Sequence, residues 1–101
     1  MNTRKQTVLI VDDEPTNIEI LNRALGTDYE ILAVTSGKEA LEIAAHQSPD
    51  LIVLDIIMPV MSGYEVLQNL KQSASLKEIP VVFITALDRE DRETRGLELG
   101  A

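Results

Sequence analysis

Three short aliphatic runs punctuate the chain: Val8-Leu9-Ile10-Val11, Leu51-Ile52-Val53-Leu54 and Val81-Val82-Phe83-Ile84. Each is rich in β-branched residues and bounded by polar or turn-forming ones. Continuous apolar runs of this length predict strands buried on both faces of a sheet. A weaker run over 29–34 alternates and carries Glu30, which predicts an edge strand. Between the runs the apolar spacing becomes helical. Pro15 suits a first helical turn and precedes Ile18, Leu21 and Leu25, with Gly26 as a stop. Ser36-Gly37-Lys38-Glu39 reads as a capping box ahead of Ala40, Leu41, Ala44 and Ala45. Ser62-Gly63-Tyr64-Glu65 reads as a second, ahead of Val66, Leu67 and Leu70. Asp88 can cap a last helix carrying Leu97 and Leu99. The order βαβαβαβα predicts an α/β fold, a parallel sheet covered on both faces through right-handed crossovers.

In such sheets ligands bind beyond the carboxyl ends of the strands, where the strand order reverses. Asp12-Asp13-Glu14 follows the first buried run, Asp55 ends the third strand, and Thr85-Ala86 follows the last. Asp12 and Asp55 stand 43 residues apart in the chain, yet the fold brings them to one rim. Clustered carboxylates repel one another, and a hard divalent cation relieves that repulsion. With no histidine or cysteine beside them, two or three aspartates suit Mg²⁺, or Mn²⁺, better than zinc. An aspartate can also serve as a nucleophile and form an aspartyl phosphate.

Composition narrows the field. The 101 residues carry a net charge of −8 and no cysteine. Disulfide scaffolds, thiolate zinc sites and cysteine nucleophiles are excluded. So acidic a surface repels phosphate backbones and anionic lipid, which argues against direct nucleic-acid or membrane binding. The apolar run of Val8–Val11 is too short for a signal peptide, and no stretch approaches the roughly 18 apolar residues of a membrane helix. A single cytoplasmic domain over 1–101 is the expectation. His46, the one histidine, reads as an exposed residue near a helix end, and Met58 and Met61 as packing residues. Asp12-Asp13 has a plainer reading too, as a cap for the first helix.

Together VLIVDDEP, LIVLDIIMPVMSGYE and VVFITA resemble the receiver domain of two-component response regulators, in that family's order and spacing. The resemblance implies a flavodoxin-like doubly wound sheet with strand order 2-1-3-4-5. It implies that Asp55 is the phosphoacceptor and that Asp12, Asp13, Asp55 and the backbone carbonyl of Ile57 hold Mg²⁺. Thr85 becomes the switch hydroxyl, and Gly63 permits the turn into the next helix. The implied partner is a sensor histidine kinase or histidine phosphotransfer protein. Ile57 and Leu87 flank the acceptor, and their apolar side chains point to a long-lived phosphoryl group.

The family also carries a fifth strand ending in a Lys-Pro pair, an aromatic switch residue on that strand, and a fifth helix. The sequence stops before them, so it is read as four βα units of five. Lys71 and Lys77 stand in the wrong place to substitute for the lysine, whose absence should slow or abolish phosphorylation. Ser62 replaces the family's usual acidic residue. Val81–Ile84 is then expected to present an apolar edge open to self-association or domain swapping. A non-phosphorylated interaction module is the alternative. A Mg²⁺-dependent hydrolase with an aspartate nucleophile is a more distant one, since Asp12-Asp13 lacks the Asp-x-Asp spacing. No glycine-rich fingerprint for a nucleotide follows the first strand.

Overall fold

The computed structural model describes residues 5–84. Thr85, Ala86, Leu87 and the helix expected after Asp88 lie outside the described residues. Seven elements alternate: β1 (Thr7–Val11), α1 (Pro15–Leu25), β2 (Glu30–Val34), α2 (Gly37–Gln47), β3 (Leu51–Asp55), α3 (Gly63–Lys71) and β4 (Val81–Ile84). The strands form one sheet in the order β2-β1-β3-β4, and every pairing is parallel. The family's order is thus reproduced over the four strands described, with β2 at an edge as its alternation predicts.

The aliphatic runs become strands because each supplies both faces. Leu9, Val11, Ile52 and Leu54 enter a cluster with Ala40 and Ala44 of α2 and Val66 and Leu70 of α3. Val8, Ile10 and Val53 point the other way and meet Ile18, Leu21 and Leu25 of α1. Burying each such aliphatic side chain contributes about 1.5–3 kcal/mol. β4 forms the outer edge of the sheet among the described residues. Its Val82 is 44% exposed, while Val81 and Phe83 pack against the α2–α3 cluster.

The helix starts follow the sequence with one correction. At α3 the capping box is reciprocal: Ser62 accepts from the Glu65 N–H, and Glu65 accepts from the Ser62 N–H. At α2 only half of it forms. Ser36 accepts from the Glu39 N–H, but the Glu39 carboxylate reaches one residue further back, to the Thr35 N–H and hydroxyl. His46 lies exposed in the last turn of α2, with Nδ1 2.8 Å from the Glu42 carbonyl oxygen. Its place suits the negative end of the helix dipole.

Candidate functional site

From β1 the chain passes through α1 to β2 on one side of the sheet and through α2 to β3 on the other, so the strand order reverses between β1 and β3. Val11 is paired with Leu54, and the next residues along these two strands are Asp12 and Asp55. Register alone therefore sets the two aspartates side by side. Carboxylate oxygens of Asp12, Asp13 and Asp55 all lie within 4.8 Å of one another. Asp12 is 1% exposed, Asp55 is 6% exposed, and Asp13 is half-buried. The three aspartates singled out from the sequence are brought together; Thr85 lies outside the described residues.

Each buried aspartate holds its own loop. Asp12 Oδ1 accepts from the Glu14 N–H at 2.9 Å, turning the chain from β1 into α1. Asp55 Oδ1 accepts from the Ile57 N–H at 3.3 Å. Neither Asp12 nor Asp13 is the helix cap, because the N-cap of α1 is Glu14, whose side chain makes no capping bond. Asn17, the third residue of α1, adds a second bond by donating from Nδ2 to Asp12 Oδ2 at 3.2 Å.

Burial, reinforced by the neighbouring Asp12 charge, pushes the Asp55 carboxyl up to about 7. Burial likewise raises Asp12. Among the described residues no basic side chain pairs with these aspartates: the one ion pair there joins Arg23 to Glu19 on the outside of α1. Lys71 donates to the Lys77 carbonyl beyond the opposite end of β4, away from the rim, in accord with the sequence reading. Two buried carboxylates and a third beside them, with only oxygen ligands on offer, fit a hard divalent cation.

The loop after Asp55 is pinned at three points. Met58 is buried in the core, and Met61 packs over Gly37, where an added Cβ would stand 2.8 Å from Met61 Sδ. Both methionines are packing residues, as expected. Gly63 donates its N–H to the Ile56 carbonyl, and its Cα lies so close to the Asp55 carbonyl that no side chain fits. Gly63 stands at the turn into α3, and close approach to the backbone at the end of β3 is what demands the glycine there. Val60 is fully exposed at the loop tip with φ 70°. It centres a γ-turn closed by the Met61 N–H and the Pro59 carbonyl at 2.7 Å. Ile57, at 39% exposed, flanks Asp55 from the same loop.

Sequence reasoning missed Asn17. The usable signal was its place in the first turn of α1, just past the Asp-Asp pair and off the Ile18-Leu21-Leu25 stripe. The left-handed Val60 left no signal, since valine disfavours that conformation.

A sequence model described as the response regulator receiver domain matches residues 8–101. A Vibrio cholerae protein named "probable cyclic di-GMP phosphodiesterase" is 48% identical over 95 residues, spanning 94% of this chain and 22% of the relative. The response regulator PleD of Caulobacter vibrioides is 42% identical over 95 residues, spanning 93% of this chain and 21% of PleD. The chain therefore spans about a fifth of the length of these relatives. The crystal structure of the signal receiver domain of a histidine kinase from Syntrophus aciditrophicus superposes with a TM-score of 0.77 at 39% identity. That superposition covers 95% of this chain and 74% of the other. The strand order, the acidic rim and these matches agree: the chain belongs to the response regulator receiver domain family.

Proposed function

We propose that Asp55 accepts a phosphoryl group from a phosphohistidine on a sensor histidine kinase or histidine phosphotransfer protein, and that the acyl phosphate switches the domain. The observation that carries this reading is the convergence of Asp12, Asp13 and Asp55 within 4.8 Å, with no cation among the described residues paired to them. Asp12, Asp13, Asp55 and the Ile57 carbonyl are the groups that would hold Mg²⁺. When bound, that ion shields the negative charge of phosphoryl oxygens and aspartates alike.

The remaining work falls to the chain. A carboxylate oxygen of Asp55 forms the new O–P bond, the N–P bond to the donor breaks, and its electron pair returns to the imidazole. The Ile57 N–H and the close-packed Gly63 hold the acceptor in position. Thr85 is the hydroxyl assigned to follow the phosphoryl group and begin the switch. The exposed Ile57 limits the approach of water to the product. We place the domain, over 1–101, in the cytoplasm, without direct binding to nucleic acid or membrane. No helix among the described residues is long and apolar enough to cross a membrane.

Intact-mass measurement after incubation with acetyl phosphate and Mg²⁺ tests the assignment. A slow gain of one phosphoryl group is expected, with none in Asp55→Asn or without Mg²⁺. A gain that persists in Asp55→Asn, or no gain in the parent chain, contradicts it. A non-phosphorylated module predicts no gain at all; a hydrolase predicts continued release of phosphate from a phosphomonoester. The apolar strand β4, outermost among the described residues and with Val82 exposed, supports a second reading in which copies pair through this edge. Sedimentation at micromolar concentration should then show a dimer, and a monomer alone counts against it.

A further inference from the structure

We propose that Asn17 is the positioning residue of the acidic pocket, setting the Asp12 carboxylate for a divalent cation; this rests on the metal reading above. Asp12 has both oxygens engaged. Oδ1 takes the Glu14 N–H at 2.9 Å, and Oδ2 takes the Asn17 amide at 3.2 Å. Two donors on different oxygens fix the rotation of the carboxylate plane, and each oxygen retains a lone pair. Among the described residues, Asn17 is the one side chain outside the three aspartates themselves that donates a hydrogen bond to any of them.

Residue type matters here. A lysine or arginine on this turn would pair with Asp12 and compete with the cation. An aspartate would add a fourth negative charge. Asparagine orients the ligand and leaves the charge of the pocket for the metal. Its location adds a second consequence. Asn17 lies in the first turn of α1, a helix with no fully buried residue, so its amide ties the seating of that helix to the orientation of Asp12. Groups that orient a metal ligand in this way typically contribute 10–100-fold in affinity.

Calorimetric titration of the full chain with MgCl₂ tests the role, using Asn17→Ala and the similarly branched but apolar Asn17→Leu. Position 17 is half-exposed and helical, so alanine there keeps the fold. Both variants are expected to bind Mg²⁺ about tenfold more weakly than the parent chain while remaining folded by circular dichroism. A purely structural asparagine would lower the urea midpoint of the metal-free protein and leave the Mg²⁺ affinity unmoved. Affinities within twofold of the parent therefore overturn the inference while leaving the metal reading intact. A parent chain that takes up no Mg²⁺ overturns that reading and this inference with it.

Discussion

Under α2 and α3 the sheet buries Leu9, Val11, Ile52, Leu54, Met58, Val66 and Leu70 in one cluster, whereas under α1 the buried set among the described residues is Val8, Ile10 and Val53. Ile18, Leu21 and Leu25 reach that second face only half-buried, and Ile20 stands 51% exposed. The acidic rim straddles the two. Asp55 and its loop are pinned to the dense side through Met58, Met61 and Gly63. Asp12, Asp13 and Asn17 lead into the thinly seated α1. One half of the pocket is held by packing, the other by hydrogen bonds. Such an arrangement keeps Asp55 fixed while leaving the opposite wall dependent on a few polar contacts.

The largest test of this asymmetry is truncation on each face. Leu54→Ala removes a fully buried side chain from the dense cluster and should cost about 3–5 kcal/mol in urea unfolding. Leu21→Ala, half-buried under α1, should cost about 1–2 kcal/mol. Equal losses would erase the distinction between the faces.

The next effect lies in the pocket. In metal-free protein the Asp55 carboxyl sits at about 7 instead of 3.8, so ionising it is harder in the folded chain than in the unfolded one. Its contribution to stability is full below about pH 4 and is lost as pH rises through 7. The difference in unfolding free energy between parent and Asp55→Asn should therefore move by on the order of 4 kcal/mol across that window, in favour of the variant at high pH. A pH-independent difference would show that the rim does not crowd Asp55.

Smaller effects probe the pinned loop. In Gly63→Ala the new methyl group meets the Asp55 and Ile56 backbone, which cannot yield as a flexible side chain would. A loss of about 2–3 kcal/mol is expected by thermal unfolding. Val60→Gly should act in the opposite sense. Relief of the left-handed strain, about 1–2 kcal/mol, outweighs the added freedom of the unfolded glycine, for a net gain of about 0.5–1 kcal/mol. A destabilised Val60→Gly would mean that the loop is not held at φ 70° by its neighbours.

The strands and the aspartate pair were readable from the chain for a single reason. A doubly buried strand must be apolar throughout, so its end is marked by the first charge. Val11-Asp12 and Leu54-Asp55 are such boundaries, and parallel register then joins them. What stayed hidden depends on contacts across the fold. Periodicity assigns Asn17 to a polar face without saying that this face meets Asp12. A glycine at a helix start reads as a turn, while the reason for Gly63 is the backbone of a strand that ended eight residues earlier. Glu39 fits the capping motif, yet its carboxylate takes a pair of donors on Thr35 instead. The family resemblance named the aspartates' roles, but not the supports that hold them.

The central claim is that the ends of β1 and β3 share one cation. The Glu14 and Ile57 amides report on it directly, because each donates to an aspartate at the end of a different strand. Following both amide resonances through a Mg²⁺ titration should show them shifting together with a single dissociation constant. Two independent constants, or no response at either amide, would contradict the account.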